Sequence, residues 1–129
     1  MDVPMQVNFE FKGDICILRL RGKIHTGADA EYLCSKIDEL RATGSNKVIA
    51  DLSEIPFLDS TGIGFLIGVY TSTLNRKDGC FIVSNPGPRV RHVLKLTRLA
   101  EILPIAADEA DALQMLNLPR RANTDCRRR

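Results

Sequence analysis

The feature that most constrains the fold of this chain is a pair of apolar runs joined by a polar turn. The first run has the length and β-branched content of a buried strand, and it reads Val48-Ile49-Ala50-Asp51-Leu52. The second run extends from Phe65 to Tyr70 and continues a helical pattern, whose predicted apolar face is Ile63, Leu66, Ile67, Tyr70 and Leu74. Between the runs, Asp59 and Ser60 lie where a helix N-cap belongs. The sequence therefore predicts a buried strand that turns sharply into a helix.

The residues before this unit predict a hairpin and a first helix. Residues 7–11 alternate apolar and polar side chains, and residues 15–20 are more continuously apolar, as expected of two paired strands around a turn at 12–14. Thr26 and Asp29 match a capping box, and Gly44 is a suitable terminating residue. The apolar positions of this helix are Ala30, Leu33, Cys34, Ile37 and Leu40.

The residues after the unit predict where the second helix ends, and they predict two further strands and two further helices. The second helix is expected to run to about Lys77, and a fourth strand occupies residues 80–84. Pro88 suits the first position of a third helix. A short strand at residues 103–105 and a fourth helix capped by Asp108-x-x-Asp111 complete the order ββαβαβαβα. This order predicts the α/β class: a single domain over residues 1–118, with a mixed, mostly parallel sheet of about five strands packed with four helices.

Charge is distributed unevenly between the predicted domain and the C-terminus. The chain carries +2 overall, but residues 119–129 hold five arginines against one aspartate, which leaves −2 for residues 1–118. We expect 119–129 to be a basic, disordered tail, which is solvated or contacts an anionic surface. Because the chain has no Trp and few aromatic residues, we expect no direct binding of nucleic acid. No apolar stretch is long enough to span a bilayer and no secretory signal is visible, which predicts a cytoplasmic protein without a membrane span.

The cysteines and histidines do not form the spacing of a metal site. Cys16, Cys34 and Cys80 lie within predicted apolar segments, and none of the four cysteines forms a Cys-x-x-Cys pair. Neither His25 nor His92 pairs with a cysteine at ligand spacing. We therefore expect a reducing compartment, no metal and no cofactor.

Three interpretations of the turn follow from its residues alone. It is an ordinary helix cap followed by small residues, a nucleotide site, or a site with Ser60 as a nucleophile. Gly62-x-Gly64-x-x-x-Gly68 resembles a relaxed dinucleotide fingerprint, but no acidic residue ends the next strand to bind a ribose. Leu58 stands where a nucleophile elbow requires glycine, and the sequence places no histidine beside Ser60. The residues thus favour a binding or structural role over an enzyme with a catalytic residue here.

A fourth interpretation comes from a family resemblance. The segment Asp59-Ser60-Thr61-Gly62-Ile63-Gly64, reached through Ile55-Pro56-Phe57-Leu58, resembles the signature of STAS domains, the anti-sigma factor antagonist family. The resemblance covers residues 6–118 in element order, including the break at Asn85-Pro86. It implies a bacterial phosphoprotein of signal transduction and transcription regulation that acts through protein–protein interaction. Its implied partners are an anti-sigma factor serine kinase and a serine phosphatase.

The resemblance also implies which residues carry the function. Ser60 is the implied phosphorylation site, and the unphosphorylated protein is expected to bind the kinase and so release a sigma factor. The implied partner-binding residues are Asp59, Ser60, Thr61, Gly62, Ile63, Lys23 and His25. An alternative keeps the fold as an accessory or scaffold subunit of a transporter or stress-signalling complex, in which Ser60 is only structural.

The chain departs from the family pattern after the second predicted strand. Family members commonly carry Gly-Glu-Leu/Ile-Asp, whereas this chain has Gly22-Lys23-Ile24-His25. The exchange of two acids for a lysine and a histidine predicts a partner of altered charge, or else His25 only precedes the first helix.

Overall fold

The computed structural model describes residues 6–22 and 28–116, and the chain begins there with a β-hairpin. β1 (Gln6–Lys12) pairs antiparallel with β2 (Ile15–Arg21) in a register that places Phe9 opposite Leu18. Gly13 adopts φ +63 in the turn, a conformation that glycine reaches without a steric penalty. The hairpin predicted from the alternating pattern is confirmed.

The remaining strands are parallel and extend the hairpin into one sheet. β3 (Lys47–Glu54) pairs with β2, β4 (Cys80–Ser84) pairs with β3, and β5 (Ile105–Ala106) pairs with β4. The sheet order is therefore β1-β2-β3-β4-β5. Because the strands follow one another in both sequence and space, each parallel pair is connected by a helical crossover.

Three helices and one short 3-10 turn provide these connections, and a fourth helix follows the last strand. α1 (Ala28–Thr43) precedes β3, α2 (Ser60–Leu74) precedes β4, and α3 (Pro88–Leu96) is followed by the 3-10 turn Leu99–Glu101. α4 (Glu109–Leu116) follows β5. The order ββαβαβαβα and the five-stranded mixed sheet agree with the sequence prediction.

The sheet separates two hydrophobic clusters. On one face, buried side chains of α1, α2 and α3 pack against alternate residues of the strands, among them Val48, Ala50 and Leu52 of β3. On the other face, Ile17, Ile49 and other buried strand residues pack against α4. Both faces of β3 are thus covered, which is why its sequence is continuously apolar from residue 48 to 50.

Charged side chains surround the contact between α4 and the sheet. Arg19 donates to Asp51 at 2.8 Å and to Glu109 at 2.6 Å, and Lys12 donates to the other carboxylate oxygen of Glu109 at 2.6 Å. Arg19 also binds Glu10. These contacts link β1, β2 and β3 to the first turn of α4, so a single arginine joins four elements.

Several predicted caps are present. Gly44 has φ +74 and donates to the Arg41 carbonyl, which ends α1 as expected. Pro88 occupies the start of α3 after the N-cap Gly87. Asp111 N–H donates to Asp108 Oδ1, and Ala107 N–H donates to Asp111 Oδ2, so the two aspartates cap α4 reciprocally. Thr26, the proposed cap of α1, lies outside the described residues.

The structure corrects the predicted face and end of α2. The helix ends at Leu74 rather than Lys77, with Asn75 as its C-cap. Its buried side is Gly62, Phe65, Leu66, Val69 and Thr73. Ile67 belonged to the predicted apolar face but is 42% exposed. The periodicity was compatible with either side, because the helix is apolar over most of its circumference and only packing against the sheet selects one.

Two smaller predictions also differ from the structure. Cys34 is exposed on α1 rather than buried with Leu33 and Leu40. The last strand begins at Ile105, after Pro104, since proline lacks the N–H that a ladder needs. Pro104 still accepts through its carbonyl from Val83 N–H at 2.9 Å.

Candidate functional site

The loop between β3 and α2 is fixed by two buried apolar anchors. Ile55 and Leu58 are each 3% exposed, and Ile55 N–H donates to the Leu52 carbonyl at 3.1 Å in a tight turn. The two residues between these anchors, Pro56 and Phe57, are exposed. The loop therefore leaves the sheet in a defined direction and presents Phe57 on the surface.

Asp59 caps α2 in the way its sequence position predicts. Its backbone is extended, with φ −108 and ψ −171, and its Oδ1 accepts from Gly62 N–H at 3.1 Å. Its carbonyl accepts from Ile63 N–H at 3.0 Å. The aspartate side chain thus satisfies one of the free N–H groups at the start of the helix.

Ser60 is the first residue of α2, and its side chain is exposed. Its hydroxyl makes no hydrogen bond to any other residue that the structure describes. Within that part of the chain the Ser60 hydroxyl is accessible, and no histidine is hydrogen-bonded to it as a base.

The other residues of the predicted site divide between surface and core. Asp59, Thr61 and Ile63 are half-buried beside the exposed Ser60, whereas Gly62 is buried against the sheet side of the helix. The structure thus places Asp59 to Ile63 together at one end of α2. Lys23 and His25, the other two predicted partner-binding residues, lie outside the described residues.

The family model for the STAS domain matches residues 6–112. The chain belongs to the STAS domain family. Among curated proteins it is similar to the anti-sigma F factor antagonist of Paenibacillus polymyxa, with 28% identity over 117 residues that cover 88% of this chain and 97% of the relative. A solved anti-sigma factor antagonist from Mycobacterium paratuberculosis superimposes with a TM-score of 0.73 at 26% identity, over 85% of this chain and 92% of that one.

More distant structures share the STAS fold. SpoIIAA in its unphosphorylated form matches with a TM-score of 0.71 at 22% identity, over 88% of this chain and 99% of that one. The Bacillus cell fate determinant SpoIIAA in its phosphorylated form matches with a TM-score of 0.65 at 23% identity, over 87% and 100% of the two chains. These two likenesses establish the fold of this STAS domain and nothing about its residues' roles.

An open groove lies beside the loop of this STAS domain. Its volume is about 320 Å³, and it is lined by Phe57, Pro88, Arg89, His92 and Val93. It joins the β3–α2 loop to the first turns of α3. No local sequence pattern predicts this groove, because Phe57 and α3 are separated by more than thirty positions and only the sheet order brings them together.

The described residues offer neither a metal cluster nor a membrane-spanning helix. Within 6–22 and 28–116, no group of three or more His, Cys, Asp or Glu side chains is arranged to hold a metal ion. In that same part of the chain, no helix is both long and apolar enough to cross a bilayer.

Proposed function

We propose that this STAS domain is an anti-sigma factor antagonist whose binding to an anti-sigma factor kinase is controlled by phosphorylation of Ser60. The observation that carries the proposal is the exposed hydroxyl of Ser60 at the first position of α2. The proposal is supported by the relatives from Paenibacillus polymyxa and Mycobacterium paratuberculosis, both named as antagonists. The protein acts by binding in the cytoplasm, and it does not itself catalyse a reaction.

A phosphate at Ser60 is compatible with the folded domain. The N-terminus of an α-helix carries free N–H groups and a partial positive charge, both of which favour an anion. Asp59 occupies the N–H of Gly62, whereas the N–H groups of Ser60 and Thr61 have no partner among residues 6–22 and 28–116. SpoIIAA has been solved in both phosphorylation states, which supports a fold that persists with the modification.

Phosphorylation of Ser60 would change the affinity for the partner and leave the fold intact. It adds a charge of about −1.5 to −2 at neutral pH. Asp59 already carries a negative charge at the same turn, so a kinase surface packed here must accommodate both. An unfavourable charge across an interface costs several kcal/mol, which is enough to release the partner. A serine phosphatase would restore the binding form.

The experiment is to incubate the protein with its cognate anti-sigma kinase and ATP and to locate phosphate by mass spectrometry. We expect one phosphate, on Ser60, that is absent from Ser60→Ala. Thr61→Ala is the matched control, since it removes the neighbouring hydroxyl and should be labelled as the wild type is. Phosphate that persists in Ser60→Ala would exclude the proposal.

A binding measurement tests the switch itself. We expect Ser60→Asp to weaken the affinity for the kinase by at least about tenfold. The midpoint temperature of thermal unfolding of the variant should be unchanged or slightly raised, because an acidic side chain at this helix position is favourable. Equal affinities of the wild type and Ser60→Asp would instead favour the accessory or scaffold function. The exposed basic residues of α3 are the observation that favours that second candidate.

A further inference from the structure

α3 carries a concentration of positive charge that the proposed switch at Ser60 does not use. Residues 85–100 contain no aspartate or glutamate. The basic side chains of this segment are exposed, and they are Arg89, Arg91, His92, Lys95 and Arg98. Such a surface attracts acidic ligands, but charge alone does not define a site.

The groove beside α3 adds an apolar floor to this charge. Phe57 is 54% exposed and lines the groove together with Pro88 and Val93, while Arg89 and His92 provide its polar rim. Leu96, at 69% exposure, lies one helical turn beyond Val93 and His92 on the same side of α3. An apolar strip bordered by Arg89 and His92 therefore runs from the β3–α2 loop along the helix.

The remaining basic residues of α3 lie on a different side. Arg91 and Lys95 are four positions apart on α3, and neither lines the groove. The helix thus offers two cationic strips, of which only the one with Arg89 is combined with exposed apolar surface. This difference allows a specific site to be separated from general electrostatic attraction.

We propose that the groove is a docking site for an acidic segment of a protein partner that inserts an apolar side chain between Phe57 and Val93. The apolar side chain replaces water over the exposed ring, and flanking carboxylates of the segment pair with Arg89 and accept a hydrogen bond from His92. This inference goes beyond the switch at Ser60, because it assigns a second contact that does not depend on phosphorylation.

The shape of the groove favours a protein segment over a small molecule. Specific small-molecule pockets bury most of the ligand surface. Here Phe57, Arg89 and His92 are all exposed, so a compact ligand would remain largely in water. An extended segment can follow the strip to Leu96 and bury more apolar surface in total.

The test uses the full chain and a short fluorescent synthetic peptide in which Glu and Asp alternate with Leu and Phe. We expect fluorescence anisotropy to show binding, and amide NMR shifts to concentrate at Phe57, Arg89, His92 and Val93. A peptide with Lys in place of every acid is the control probe and should not bind. The assay contains no kinase, so its outcome is independent of whether Ser60 is phosphorylated.

Two pairs of matched variants make the test specific. Arg89→Glu should weaken peptide binding at least about tenfold, whereas Arg91→Glu, with the same charge change on the same helix, should weaken it less than about threefold. Phe57→Ala should weaken binding, whereas Phe11→Ala should not, although Phe11 is equally exposed at 53%.

Three results would overturn the proposal. Equal losses in Arg89→Glu and Arg91→Glu would show unspecific attraction to a basic helix. Binding that survives both Phe57→Ala and Arg89→Glu would place the peptide elsewhere. If vesicles of phosphatidylglycerol bind the protein and the peptide does not, the strip is a lipid-binding surface instead.

Discussion

At the scale of single residues, Asp59 has a structural role that can be separated from its charge. Its Oδ1 accepts the Gly62 N–H and so begins α2, while its carboxylate places a negative charge next to Ser60. Asparagine retains the acceptor oxygen and loses the charge, whereas alanine loses both. The two substitutions therefore separate the contribution of the cap hydrogen bond from that of the charge.

We expect Asp59→Ala to lower the free energy of unfolding by about 1 kcal/mol and Asp59→Asn to change it by only a few tenths. Urea denaturation of the wild type and both variants measures this. If Asp59→Asn is as unstable as Asp59→Ala, the stabilisation comes from the charge near the helix terminus and not from the hydrogen bond.

Cys16 illustrates a residue whose environment suppresses its chemistry. It is fully buried in β2, and burial raises the pKa of its thiol to about 11, against a smaller opposing effect of Ser45. Since the thiolate is the reactive form, Cys16 is a packing residue at neutral pH. The assignment of Cys16 as a small hydrophobic residue is thus confirmed, while that of the exposed Cys34 is wrong.

At the scale of elements, two glycines near α2 that look alike in sequence are under opposite constraints. A Cβ on Gly64 would meet nothing within 4 Å, because this position of α2 is exposed. A Cβ on Gly79, just before β4, would lie 1.8 Å from the Thr73 carbonyl oxygen. The close passage of the chain beneath the end of α2 therefore requires glycine at 79 but not at 64.

We expect Gly64→Ala to stabilise the protein by about 0.5–1 kcal/mol, since alanine loses less backbone entropy in a helix. Gly79→Ala should destabilise it by at least about 1–3 kcal/mol, because the loop must move away from the helix end. Thermal unfolding of the two variants beside the wild type measures the difference. Shifts of the same sign and size would contradict it.

At the scale of the whole molecule, the two faces of the sheet are covered unequally. Among the described helices, three cover one face, while α4 packs on the other and contributes Ala112 and Leu116 to its buried cluster. The ion pairs of Glu109 with Lys12 and Arg19 hold the first turn of this short helix against the hairpin. Attachment of α4 is thus sensitive to the charge of Glu109.

The hydrogen bonds from Lys12 and then from Arg19 hold the pKa of the Glu109 carboxyl below its ordinary value of 4.5, although partial burial opposes them. A carboxyl whose pKa is lowered by folding stabilises the protein fully above its unfolded pKa. That stabilisation is lost as the pH falls below about 4.5 and through the lower folded-state value.

We therefore expect Glu109→Gln to reduce the free energy of unfolding by about 1 kcal/mol near neutral pH, and by progressively less as the pH falls below 4.5. Urea titrations across this range measure the difference between variant and wild type. Glu101→Gln is the control, because its pair with Arg98 is 4.0 Å long and highly exposed. A difference that stays constant with pH would show that the charge of Glu109 does not hold α4.

Local sequence signals predicted the structure correctly wherever a feature depends only on residues close together in the chain. The apolar strand at residues 48–52, Gly44 at the end of α1, Pro88 at the start of α3 and the aspartates of α4 were all predicted from a few neighbouring residues. They could be predicted because strand burial, positive φ, a fixed proline φ and N-capping act within a turn or two of chain.

The sequence by itself determined the order of elements, the cap at Asp59 and the position of Ser60 at the start of α2, since these depend on contacts between near neighbours. Tertiary structure alone decided that Ile67 and Cys34 face solvent, and that Phe57 meets α3 in a groove. The physical reason is that a helix with several apolar sides can bury any of them, and its packing against the sheet decides which side is buried. The position of Ser60 at the start of α2 could therefore be predicted from sequence, whereas the residues around it required the fold.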